Sequence, residues 1–270
     1  MALRKHMVSG VVALSLATFA GSAWGAPLYV LEDHNSRVSF DAGSQAGTFD
    51  WIVDGTSHLV QQWFWFRIGN NPERSIDTLP LTGAFASDTN PFSDNRADAL
   101  FLRYEDAAIK IEPTFILRGG NAGTNSSDLA EQIKITNKGA STITISFFQY
   151  ADFDLNGTPF DDSVSIFAGN HVIQTEGPVV MSESVVAPLP SFFEAEFHPV
   201  TLAKLNDVFA DNLSNNAFRA NGNLTWAFQW NFTIQAGKSV LISKDKQVVP
   251  TPGSIALLGL AGAFVLRRKR

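Results

Sequence analysis

The most regular polar–apolar pattern in the chain is Leu224-Thr-Trp226-Ala-Phe228-Gln-Trp230-Asn-Phe232-Thr-Ile234. Even positions are large and apolar, and the odd positions between them are small or polar. A period of two predicts a strand with one face on a core and the other on water. Gln235-Ala-Gly237-Lys238 then reads as a turn, and Ser239-Val-Leu-Ile-Ser243 as the returning strand of a hairpin.

The same reading finds further elements. Residues 132–136 lead through the turn Asn137-Lys-Gly139 into a strand over 141–150. Residues 163–167 and 171–175 pair across Gly169-Asn170. Residues 59–68 contain Trp63-Phe64-Trp65-Phe66 and are apolar on both faces, which predicts a central strand. Residues 108–117 form another strand, which Pro113 confines to an edge or a bulge. Residues 199–213 have apolar positions at helical spacing with Pro199 at the start, and predict the one short helix. Together these predict an all-β fold, an antiparallel β-sandwich of jelly-roll-like kind.

The two ends follow other patterns. Arg4 and Lys5 precede an apolar run over 8–20 and then Ala23-Trp-Gly25-Ala26. A charged start, an apolar middle and a small-x-small site make a secretory signal peptide over 1–25. The run is shorter than the roughly 20 residues a permanent span needs. At the other end Pro250-Thr251-Pro252-Gly253 interrupts regular structure. An uncharged apolar run over 254–266 follows, predicted as a single hydrophobic helix, and then Arg267-Arg268-Lys269-Arg270. Terminal cations after such a run stay cytoplasmic and leave the body outside. The chain thus divides into a signal peptide (1–25), a β-sandwich ectodomain (26–247) and a tail (248–270). Lys244-Asp-Lys-Gln247 joins body to tail.

The tail resembles the PEP-CTERM sorting signal: Pro-x-Pro, a short apolar helix and an Arg-rich terminus, in that order. Thr251 stands where the family usually has Glu. The resemblance implies the secretion machinery and an exosortase-like enzyme as partners, and a place at the bacterial cell surface or in an exopolysaccharide matrix. The membrane would hold the helix before processing.

Charge adds one exclusion. Six of the 20 basic residues stand at the two ends, which leaves 14 against all 26 acidic residues in the central region. Such a body repels phosphate backbones, so nucleic acid is not an expected partner. There is no cysteine, hence no disulfide or thiolate metal site.

Candidate chemistry is sparse. Asp152-Phe-Asp154-Leu-Asn156-Gly157 matches the first half of a calcium loop, with Asp161 and Asp162 as further oxygen ligands. Position twelve is Ser163 instead of the bidentate Glu, so an EF-hand is excluded. The alternative is a polar turn whose side chains bond their own backbone. Calcium is the single cofactor considered. Glu194-Ala-Glu196-Phe-His198 places three polar groups on one face of a strand. Trp63 and Trp65 are candidates for stacking on sugar, while Trp226 and Trp230 belong to the core face. No metalloprotease, nucleophile-elbow, phosphate-loop or dinucleotide motif occurs. These features lead to the expectation of a non-catalytic surface or matrix domain, not an enzyme. A carbohydrate-binding module for exopolysaccharide is the alternative, and a secreted glycosidase with a carboxylate pair the third reading.

Overall fold

The computed structural model describes residues 27–90 and 94–251. The expected signal peptide, Pro252, the hydrophobic run and Arg267, Arg268, Lys269 and Arg270 lie outside the described residues. Among the described residues no helix is long and apolar enough to cross a membrane.

Among the described residues eighteen strands, numbered in chain order, form two sheets of nine. Across sheet A lie β1 (Leu28–Asp33), β2 (Ser36–Asp41), β3 (Gly47–Val53), β5 (Leu59–Ile68), β11 (Ile143–Phe153), β17 (Leu224–Ile234) and β15 (Phe192–Phe197). Two short strands hang from it, β4 (Thr56–Ser57) on β3 and β6 (Arg74–Ser75) on β5. One half of sheet B consists of β16 (Phe218–Gly222), β12 (Asp162–Phe167), β13 (His171–Glu176), β14 (Val179–Ala187) and β18 (Ser239–Pro250). It continues through β10 (Ser127–Asn137), β9 (Ile109–Gly119), β8 (Ala99–Glu105) and β7 (Leu81–Ser87). The predicted all-β antiparallel sandwich is therefore present. One contact between β3 and β5 is parallel.

The core lies between the sheets. Phe64, Phe147, Trp226, Phe228 and Trp230 of sheet A are buried against Phe115, Leu129, Ile133 and Met181 of sheet B. Phe64 stacks on Phe147 at 5.5 Å and on Phe115 at 6.3 Å between ring centroids. Each such side chain contributes about 1.5–3 kcal/mol by leaving water. Gly47 serves the packing differently. It has a positive φ of 58°, and a Cβ there would lie 2.2 Å from the Trp63 ring, so only glycine fits.

Four local expectations change. The strands predicted as hairpins at 235–238 and 137–139 do not pair. β17 and β11 lie in sheet A, while β18 and β10 lie in sheet B. Both turns carry the chain across the sandwich, and Asn137 ties them together. Its buried amide donates to the carbonyls of Ser141 (2.8 Å) and Ile234 (2.9 Å), and its carbonyl accepts from Gly237 N–H (3.0 Å). Alternation in each strand was legible, but it cannot say which sheet a strand joins. Pro113 sits in β9, an interior strand, opposite Ile133 of β10. On its other side the β8–β9 ladder skips Leu102 and Arg103, so the missing N–H costs no ladder bond. The predicted helix is a single short one, α1 (Val200–Leu205). Beyond it Asn206 and Asn212 spend their side chains on other segments, which competes with helix.

The fourth change concerns Lys244-Asp-Lys-Gln247. It is no linker but the middle of β18, bonded to β14 and β10, and the strand continues to Pro250. Lys244 and Lys246 point into the core, where both meet Glu131 and Glu183. All four side chains have no exposed surface. Thr251 N–H reaches the Pro178 carbonyl at 2.8 Å.

Candidate active site on the outer face of sheet A

Register defines the site. In β11, Asp152 stands opposite Gln61 and Thr225, Phe148 opposite Trp65 and Gln229, and Ser146 opposite Arg67 and Asn231. Paired residues share a face. The intervening Gln149 reaches Glu183 of sheet B at 3.0 Å, so it faces inward. The Asp152 row therefore faces outward.

At one end of this face three groups meet. His198 Nδ1 lies 3.0 Å from Asp152 Oδ2. The Tyr150 hydroxyl lies 3.4 Å from both Asp152 Oδ2 and His198 Nδ1. Asp152 is 2% exposed, while the His198 side chain is 38% exposed, so the histidine is the member that solvent reaches. Burial pushes the Asp152 carboxyl up to about 6, against the pull of His198, and Asp154 adds to the rise. Burial also raises Tyr150.

More carboxylates crowd behind them. Burial raises Asp154 and Glu176 and pushes Asp162 up to about 8, with Glu176, Asp154 and Asp152 as repelling neighbours of Asp162. Asp152 Oδ1, Asp154 Oδ1, Glu176 Oε2 and both Asp162 oxygens are buried without a hydrogen bond. Nearby, burial pushes His58 down to about 4, and its Nδ1 accepts the Asn156 N–H at 3.2 Å.

The five candidate calcium ligands are not drawn around one centre. β11 continues through Phe153, so its pleat turns Asp152 outward to His198. Asp162 opens β12 in the other sheet and faces inward. The Asn156 amide donates to the Glu176 carbonyl at 3.1 Å, and Asp161 is exposed. Among the described residues no group of three or more His, Asp or Glu side chains is arranged to hold a metal ion. Nor do these side chains bond the backbone of their own turn: Asp152 and Asn156 reach other segments, and Asp154 Oδ1 and both Asp162 oxygens have no hydrogen bond.

The two candidate stacking residues are fully buried. Trp63 donates to Asp77 at 3.1 Å and meets the Tyr104 ring edge-on at 6.0 Å. Trp65 donates to Asn206 at 3.1 Å. Glu194 is buried too, accepting from Thr201 (2.7 Å), Lys204 (2.6 Å) and Ser214 N–H (2.7 Å). Glu196 pairs with Arg219 at 2.6 Å. Of the three polar groups in 194–198, only His198 joins the site.

No protein-family profile and no curated protein matches the chain. Among solved structures it is similar to a bacterial glucoamylase complexed with acarbose, with a TM-score of 0.56 at 9% identity over 90% of this chain and 34% of that one. It is similar to a proposed aldose 1-epimerase from Escherichia coli K12, with a TM-score of 0.53 at 10% identity over 83% of this chain and 99% of that one. It is also similar to the Slr1438 protein from Synechocystis sp. PCC 6803, with a TM-score of 0.57 at 13% identity over 87% and 99%. The chain shares their fold. This corrects the expectation of a non-catalytic display domain: the same sandwich makes up nearly all of the proposed aldose 1-epimerase. The expectation rested on finding no linear catalytic motif, and this fold assembles polar groups from separate strands instead. The chain spans about a third of the glucoamylase.

The Asp152–His198 pair had no linear signal. Each residue stood out for another reason, Asp152 in the calcium-like loop and His198 in the alternating acidic strand. Only β11, β17 and β15 lying side by side bring them together.

Proposed function

We propose that this protein is a carbohydrate-active enzyme that works by proton transfer, with Asp152, His198 and Tyr150 as its acid–base group. The observation that carries the reading is the 3.0 Å contact between His198 and the buried Asp152. Asp152 holds Nδ1 of the ring, which leaves Nε2 as the nitrogen for substrate. A carboxyl near 6 exchanges its proton readily at neutral pH. Opening a cyclic aldose needs one group to take the anomeric hydroxyl proton and another to protonate the ring oxygen. His198 and the Asp152 carboxyl behind it can fill these roles. The fold supports a sugar substrate, since a proposed aldose 1-epimerase has it.

The test is anomer exchange of common aldoses, followed by NMR, with glycoside hydrolysis run in parallel. Wild-type protein is expected to accelerate one of them. His198→Ala and Asp152→Asn are expected to lose about 10²–10⁴-fold in rate while keeping wild-type circular dichroism. Equal rates in wild type and His198→Ala would end the proposal.

The ends of the chain support work outside the cytoplasm, on envelope or matrix saccharide. We propose export through the N-terminal signal and sorting through Pro250-Thr251-Pro252 and the tail. Terminal mass mapping of the native protein is expected to find Ala26 first and the Arg267–Arg270 cations gone. Material released from the membrane with those cations intact would end the sorting reading.

A further inference from the structure

The outer face of sheet A is longer than the site at its end. From Asp152 back to Thr144 it spans nine residues of β11, about 27 Å at strand rise. Its far end is an open cleft of about 270 Å³ lined by Arg67, Thr144, Ser146, Asn231 and Thr233. Between the two ends the face carries Tyr150, Phe148, Trp65 and Gln229, an aromatic floor with polar groups among it. That middle stretch is covered by the segment 206–213.

The cover is attached in an unusual way. From Asn206 to Leu213 it has no regular secondary structure. Side chains of the face hold it: Trp65 donates to Asn206, Arg67 donates to the Asp211 carbonyl and to Asn212, and Gln229 donates to Asn212 (2.6 Å) and accepts the Leu213 N–H (3.0 Å). Gln45 accepts from Asn206 at 3.0 Å. Amide, guanidinium and indole donors on an aromatic floor are the groups that bind sugar hydroxyls and rings. Here the Asn206, Asp211 and Asn212 oxygens occupy them. The outside of the segment shows Val208 and Phe209 to water, 76% and 67% exposed, and within 206–213 burial holds Leu213 alone, at the segment's end.

We propose that the outer face is one continuous trough for an oligosaccharide, and that segment 206–213 is a removable cover whose polar oxygens stand in for sugar hydroxyls. This rests on the proposed action on carbohydrate and extends it from one sugar ring to several. A segment held by a few side-chain bonds opens at far lower free energy than the sheet beneath it. When it lifts, Trp65, Arg67 and Gln229 become free, and the His198 end joins the Asn231 cleft.

The absence of native cysteine makes a clean test. Gln45→Cys combined with Asn206→Cys, joined by a short bismaleimide, locks the cover. The same variant capped with N-ethylmaleimide leaves it free. Hydrogen exchange is read at Asp211 and Leu213, whose N–H groups bond Glu73 and Gln229. In the capped protein these amides are expected to exchange at least 100-fold faster than those in the middle of β11 and β17, and the lock is expected to slow them. Maltohexaose and cellohexaose are then titrated calorimetrically. One of them is expected to bind the capped form and to lose at least 10-fold in affinity on locking. Cover amides as slow as those of β11, or hexasaccharide binding indifferent to the lock, would overturn the removable cover. No hexasaccharide binding to the capped form would overturn the trough. Hexasaccharide binding without any turnover would count against the proton-transfer reading alone.

Discussion

Glu131→Ala is expected to cost about 3–5 kcal/mol of folding stability, seen as a large fall in the urea midpoint without a change of slope. Glu131 accepts from both Lys244 and Lys246, and Gln62 donates to it at 3.2 Å. The two ammonium groups hold its carboxyl below the usual range even though burial works the other way. Without Glu131 two buried cations face one carboxylate, Glu183, at 3.5 and 3.3 Å. Gln62 also loses its acceptor. An unpaired buried charge has neither water nor partner, which is why breaking such a group costs more than forming it contributes. The same argument predicts a second result. Replacing the four residues together with Gln62 and Gln149, whose amides Glu131 and Glu183 accept, by Leu and Met of similar volume is expected to be neutral or stabilising. A Glu131→Ala loss under about 1 kcal/mol, the range of an exposed pair, would show that water reaches the quartet.

Asp162→Asn is expected to stabilise the protein, and more so as pH rises. Burial pushes the Asp162 carboxyl up to about 8, and its acidic neighbours add to the rise. The nearby Gln174 amide offsets only part, since its N–H is committed to the Phe153 carbonyl at 2.7 Å. A carboxyl whose folded pKa lies above its unfolded value binds more protons in the folded state. Its contribution is fully present below about pH 4 and is lost as pH rises through about 8. At about 1.36 kcal/mol per unit, the ionised group costs the folded state at most about 6 kcal/mol above pH 8. Asparagine carries no such charge. Melting curves between pH 5 and 9 are therefore expected to diverge, with the variant higher at the alkaline end. Parallel curves would mean that Asp162 does not titrate in this range.

Much of the sandwich was legible because burial writes itself into alternation. β5 and β17 end where the pattern ends, and Trp226 and Trp230 lie in the core as their parity indicates. Partner choice was not legible. The crossing at 235–238 looks like a hairpin because a turn residue with positive φ, Gly237, suits both. The lysines of β18 were read as part of the join between body and tail, and charge is usually outside. Their parity with Ile242 and Val248 was the available signal, and the matching carboxylate, Glu131, shares the parity of Leu129 and Ile133. The proposed pair, Asp152 and His198, was illegible for a different reason. A proton-transfer site needs two groups at one point in space, and the strands that supply them meet only through long-range pairing. Asp152 was noticed for oxygens that could bind an ion, yet the pleat of β11 gives it to a histidine.

The buried quartet also fixes alignment. In the paired strands Lys244 stands directly opposite Glu131, and Lys246 directly opposite Glu183. Side chains alternate sides along a strand, so slipping β18 by one residue would turn both ammonium groups out to solvent. Asp245 would then swing in beside two carboxylates, and three like charges would share a dry space. A chain of eighteen strands has many near-miss pairings open to it while it folds. Here the wrong offset is penalised by repulsion at the centre of the sheet, so these residues act as a key that admits β18 in one position.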